Sequence, residues 1–253
     1  MKPNRALEDL RAGKPSIGCF MGLQSPNIAE MLAHAGYDWL VIETEHNALD
    51  TAQVEHMLMA INGTETVPIV RIPSASPVFI QRALDIGAMG IVVPSVRNAE
   101  EAKAIVAATR YPPVGTRGYG PVRASRYFFD QDEYFEKAND NILVCLIVET
   151  IEAVENLYEI AAVDGIDVLF HGPADMSLAL GLSPVKLPHR AVDQVFDRML
   201  EVGQKRDVAI GKGCNTADQL RQLQAKGATF IAYGPDYFLL RRVVKEGLEA
   251  FKR

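Results

Sequence analysis

Glu149 follows the apolar run Ile142 to Val148, and Asp175 lies in the turn His171-Gly172-Pro173-Ala174-Asp175 that follows Val168-Leu169-Phe170. If the two runs are neighbouring strands of a parallel sheet, both carboxylates project from one rim. Two hard oxygen ligands in that arrangement suit a divalent cation of the magnesium or manganese kind, which leaves room for water and for both oxygens of a 2-oxo acid. Such a cation polarises a ketone as a Lewis acid.

Other strand ends add to the set. The second apolar run ends in Glu43-Thr44-Glu45-His46 and the third in Arg71. His46 is a candidate general acid/base, because an unperturbed imidazole titrates near neutral pH; the plainer alternative is a hydrogen-bonded loop histidine. Arg71 carries a fixed positive charge that can stabilise a developing enolate, or it forms an ion pair inside the barrel with Glu43 or Glu45. Asp85, in the helix after the third strand, is of the type that orients a catalytic histidine through its other ring nitrogen; a solvated helix position is the alternative. Gly172 permits close backbone approach, and Pro173 stands at an expected helix start whose free N–H groups can take a carboxylate. A competing covalent route needs a Schiff-base lysine, and Lys212, beside the seventh strand, is the candidate.

These residues need a frame that gathers strand ends. From Ile17 onward, short apolar runs alternate with amphipathic ones, the pattern of repeated βα units. The expected strands are 16–20, 39–42, 68–72, 90–94, 142–148, 168–170, 208–211 and 229–233, and eight such units imply a closed (β/α)8 TIM barrel. Helix boundaries fall between them: Ser25-Pro26 opens a run ending at Gly36, Ser76-Pro77 one ending at Gly87, and Thr216-Ala217-Asp218 one ending at Gly227. Met1 to Lys14 reads as an extra N-terminal helix. The stretch Tyr111 to Phe129, crowded with Pro, Gly, Arg and Tyr, breaks the repeat; its position after the fourth unit suggests a functional loop near the rim or at a subunit contact. The last segment, Tyr237 to Arg253, carries an apolar stripe through Leu240, Val243, Val244, Leu248 and Phe251, suited to packing on its own barrel or on a neighbour's.

A chain of 253 residues, 48% apolar, can bury a full core as one domain over 1–253. A formal net charge of -6 with scattered Lys and Arg disfavours a nucleic-acid surface and favours a small-molecule substrate. Cys19, Cys145 and Cys214 are odd in number and lack ligand spacing, as expected of reduced thiols in a cytoplasmic protein. No segment has a signal-peptide core or membrane-spanning length.

The chain resembles the HpcH/HpaI family of metal-dependent (class II) pyruvate aldolases over almost its whole length. The resemblance rests on Gly36-Tyr-Asp-Trp-Leu-Val-Ile with Glu45-His46, Ala108-Thr-Arg-Tyr-Pro-Pro followed by Gly115-Thr-Arg-Gly-Tyr-Gly, Glu149-Thr with Glu152-Ala, and Gly172-Pro-Ala-Asp with Ser177. It implies a barrel of the phosphoenolpyruvate/pyruvate type that binds pyruvate through Mg2+, Mn2+ or Co2+ on Glu149 and Asp175. Arg71 would meet the ketone oxygen, the turn at Gly172 to Asp175 the carboxylate, and His46 with Asp85 would move protons as a 4-hydroxy-2-oxo acid is split into pyruvate and an aldehyde. It also implies a homohexamer with the last helix exchanged between neighbours. The chain departs from the family pattern at Ile147 (usually glutamine), His171 (small or aliphatic), Glu43 (commonly aspartate) and Phe20 (often tryptophan), where Phe20 would shape the aldehyde side. The same rim also suits oxaloacetate decarboxylation, or a barrel that only binds a 2-oxo acid.

Overall fold

The computed structural model describes residues 1–251. Eight strands close a barrel in sequence order: β1 (Ser16–Met21), β2 (Trp39–Glu43), β3 (Val67–Arg71), β4 (Gly90–Val93), β5 (Leu143–Val148), β6 (Val168–His171), β7 (Ala209–Cys214) and β8 (Phe230–Tyr233). Every neighbouring pair is parallel, and β8 returns to β1. The helices are α1 (Arg5–Arg11), α2 (Pro26–His34), α3 (Thr51–Ile61), α4 (Pro77–Asp85), α5 (Ala99–Thr109), α6 (Gln131–Asn141), α7 (Ile151–Glu155), α8 (Leu157–Ile160), α9 (Pro173–Ala179), α10 (Arg190–Arg206), α11 (Ala217–Lys226) and α12 (Asp236–Phe251). All eight expected strands form, with ends that coincide or shift by at most three residues. None of the helices is long and apolar enough to cross a membrane among the described residues.

The helix boundaries follow local chemistry. Ser25 accepts from the Ile28 N–H and Thr216 from the Gln219 N–H, each relieving an unpaired first-turn donor. Ser76 makes no such bond, and Pro77 alone sets the start of α4. Gly36, Gly87 and Gly227 take left-handed φ of 98°, 105° and 94° where α2, α4 and α11 stop.

The period of two along each strand divides the core into two shells. Outward residues such as Leu40, Ile42, Val70, Val144, Leu146 and Leu169 pack under the helices. Inward residues such as Trp39, Val41, Val67, Ile69, Leu143, Val168 and Phe230 fill the barrel. Trp39 stacks on Phe230 with centroids 3.9 Å apart, and it lies where a side chain at position 18 would stand: a Cβ on Gly18 would come within 2.0 Å of the indole. At the N-terminal end of the barrel, Ala6 and Leu10 of α1 pack on this inner shell, and Asn4 donates to the Met89 carbonyl at 2.8 Å. The core is therefore closed below and open only at the C-terminal rim.

One expectation changes here. Residues 111–129 are indeed irregular, but they follow α5 and precede α6, so they belong to a helix-to-strand connection at the N-terminal end, opposite the rim. The C-terminal helix runs to Phe251; Lys252 and Arg253, which close the expected segment, lie outside the described residues.

Candidate active site

The top of the inner shell is where apolar side chains give way to charge. Glu43 and Arg71 are register partners on β2 and β3 and point inward, as does Glu149 one residue past β5. Together with Phe20, His46, Asn47, Ile147, Phe170, Ala174, Asp175 and Tyr237 they surround a cavity of about 520 Å³. Strands β7 and β8 contribute only Gly213 and Ala232, which keeps that side open. Phe20 and Phe170, with ring centroids 5.4 Å apart, make an apolar wall.

Arg71 is clamped. Its Nη1 donates to Glu43 Oε2 at 3.0 Å, and its Nη2 pairs with Glu45. Its Nε is buried and has no acceptor among the described residues, which leaves a donor for a ligand oxygen. Glu43 also accepts from the Glu45 and His46 backbone N–H groups, at 2.7 and 3.3 Å, and so shapes the loop that carries the imidazole. His46 itself is exposed, with Nε2 3.4 Å from Glu45. Burial raises the pKa of Glu45, opposed by Arg71 and His46.

Glu149 is buried, and burial raises its pKa, with the Asp175 charge adding to the rise; Arg71 and the hydrogen bonds from Ser95 pull it back. Gly172 is the contact that allows this carboxylate its place, since a Cβ there would stand 2.6 Å from Glu149 Oε2. A buried Glu149 whose pKa is raised by burial and by the neighbouring Asp175, at the head of a closed barrel, fits a hard divalent cation, which offsets that cost and takes carboxylate oxygens as ligands. Among the described residues no group of three or more His, Cys, Asp or Glu side chains that could hold a metal ion is present.

Two sequence candidates lie elsewhere. Asp85 is the last residue of α4, a helix that runs from the rim down to the N-terminal end, and it accepts from Arg117 Nη2 at 2.7 Å. Within one chain it does not reach His46; Glu45 is the carboxylate beside that imidazole. Lys212 lies on the outward face of β7, with its ammonium 3.4 Å from Asp193 and 4.4 Å from the Phe196 ring centroid, both on α10. It cannot present an amine to the cavity without turning the strand over, which removes the Schiff-base route. His171 also points outward, 5.5 Å from Phe196, so the family departure at this position alters the outer shell. Sequence reasoning did not single out Asn47, Tyr237 or Ser95. Tyr237 arrives from the start of α12, and no local pattern signals that return to the cavity.

The profile of the HpcH/HpaI aldolase/citrate lyase family matches residues 16–242. The 5-keto-4-deoxy-D-glucarate aldolase of Enterobacter sp. (strain 638) is 37% identical over 254 residues, covering 99% of this chain and 98% of its own. Among solved structures, an HpcH/HpaI aldolase/citrate lyase family protein from Burkholderia cenocepacia J2315 superposes with a TM-score of 0.92 at 34% identity, over 99% of this chain and 100% of that one. An HpcH/HpaI aldolase from Desulfitobacterium hafniense DCB-2 gives 0.90 at 28%, over 97% and 96%. Full-length identity above 30%, a shared barrel and the charged rim agree, and the chain belongs to the HpcH/HpaI aldolase/citrate lyase family.

Proposed function

We propose that this barrel is an aldolase that cleaves a 4-hydroxy-2-oxo acid to pyruvate and an aldehyde, and runs the addition in reverse. The observation that carries the reading is the inward convergence of Arg71 and Glu149 beside Asp175 and His46 around one cavity. Glu149 and Asp175 would hold Mg2+, Mn2+ or Co2+, which when bound supplies Lewis-acid polarisation of the ketone. The Arg71 guanidinium meets the negative charge that grows on the ketone oxygen, and its two glutamates hold the fork still while that happens. Ala174 and Asp175 stand in the first turn of α9, whose N–H groups have no acceptor inside the helix and face the substrate carboxylate.

In cleavage, His46 takes the proton of the C4 hydroxyl, the O–H pair becomes the aldehyde carbonyl, and the C3–C4 pair becomes the enolate. A proton then returns to C3 to give pyruvate. Phe20 and Tyr237 bound the side of the cavity left for the aldehyde. The exposed apolar face of α12 supports a homo-oligomer, proposed as a hexamer with this helix exchanged between neighbours.

The test is exchange of the pyruvate methyl protons in deuterated water, followed by proton NMR with each metal, because it reports enolate formation without knowledge of the aldehyde. Wild-type protein should exchange, and chelation, Arg71→Ala or Glu149→Gln should each slow it by at least about a hundredfold. Undiminished exchange in Glu149→Gln would remove the metal reading, and no exchange in wild type with any metal would leave only a barrel that binds.

A further inference from the structure

Ser95 lies two residues past β4, and its backbone is left-handed, with φ +55°. That conformation is ordinary for glycine and costly for a residue with a Cβ, so a serine at this rim position calls for a reason. The contacts supply one. The Ser95 N–H donates to Glu149 Oε1 at 2.7 Å, and the Ser95 hydroxyl donates to the same oxygen at 3.1 Å. Both donors of one residue are spent on one carboxylate oxygen. The other oxygen, Oε2, faces the bare Cα of Gly172. The carboxylate is thus tied at one oxygen and free at the other.

We propose that Ser95 is a positioning residue that makes Glu149 a one-oxygen ligand, and that its hydroxyl thereby sets both the affinity and the selectivity of the metal site. This rests on the aldolase reading above, in which Glu149 holds the cation. A small cation that demands near-octahedral geometry is served by single oxygens, whereas the looser, larger shell of calcium also accommodates carboxylates through both oxygens. With Oε1 occupied by two hydrogen bonds, the two-oxygen mode is blocked and Mg2+ or Mn2+ is favoured over Ca2+. Partners that orient a ligand in this way are worth about 10- to 100-fold in metal affinity. Removing the hydroxyl leaves the backbone N–H in place, so the lower end of that range is expected.

The experiment measures Mn2+ binding directly, by the electron paramagnetic resonance signal of the free ion, with Ca2+ as competitor and no substrate present. Ser95→Ala should bind Mn2+ about tenfold more weakly, Ca2+ should compete better relative to wild type, and the loss in turnover should shrink as Mn2+ is raised. Ser95→Gly, which keeps the N–H and suits the left-handed backbone, should behave like Ser95→Ala. If Ser95→Gly binds Mn2+ with wild-type affinity, or both variants do while Glu149→Gln has lost it, the hydroxyl has no such role and the metal site stands without it. If Glu149→Gln itself binds Mn2+ as wild type does, the metal reading falls first and this inference with it.

Discussion

Arg71, Glu149, Asp175 and His46 could be named from sequence because a parallel barrel delivers strand ends to one rim, and a strand end is visible where an apolar run stops. Asp85 shows the limit of that logic. It sits at the far end of the helix after β3, and a helix antiparallel to its strand returns the chain to the opposite end of the barrel, where Arg117 takes the carboxylate. Direction along the strand was equally decisive at His171 and Lys212, whose outward parity puts both against α10. His171 also carries a measurable consequence. Burial first, and the Lys212 ammonium second, press its pKa from 6.5 to about 3, with the backbone at Val192 pulling the other way. Between those values the unfolded chain binds a proton that the folded chain refuses, so stability is full above pH 6.5 and is lost as pH falls. From pH 7 to pH 5 that loss amounts to about 2 kcal/mol. His171→Leu should therefore lose about 2 kcal/mol less than wild type over that interval in urea titrations, whereas parallel pH dependences would show that this imidazole titrates normally.

The segment between α5 and α6 is the element that sequence located least well. Its length and composition marked it as special, but neither records which end of the barrel a connection occupies; that follows only once α5 is seen to run down from the rim. There Arg117 acts as its anchor. The guanidinium is fully buried, pairs with Asp85, donates to the Tyr134 hydroxyl at 3.1 Å and lies 4.6 Å from the Tyr111 ring centroid. One cation thus joins α4, α6 and the segment itself. Removing it strands a largely buried carboxylate, which for buried pairs costs about 3–5 kcal/mol. Arg117→Ala should lower Tm by roughly 10 °C on that basis. Arg117→Met with Asp85→Leu, which removes both charges and keeps the volume, should recover a large part of the loss. A double variant no more stable than Arg117→Ala alone would mean that packing rather than charge holds the segment.

At the scale of the whole molecule, the eight-unit repeat was legible because hydrophobic period, caps and glycine stops all agree, which is the condition for a sequence to specify one fold. The outer surface is less self-sufficient. α12 spans 16 residues yet buries only Asp236, whose carboxylate accepts from the Gly22 and Leu23 N–H groups and pins the helix start to the loop after β1. Beyond that anchor, Leu240, Val243, Val244 and Leu248 are all at least half exposed, and Phe251 almost fully so. A monomer rarely leaves so continuous an apolar face in water, and the net charge of -6 would oppose nonspecific clustering. The homo-oligomer proposed above would bury this face against a second copy and so satisfy both facts. Because Tyr237, at the start of the same helix, borders the cavity, assembly and catalysis should be coupled through α12. Val243→Glu with Leu248→Glu should therefore give a smaller species by light scattering than the wild-type oligomer. Pyruvate methyl exchange should fall along with the assembly, since the start of the helix is then free to shift. A wild-type protein that elutes as a monomer, or a variant that keeps the full assembly, would mean that α12 lies on its own barrel in solution and that its exposed face has another use.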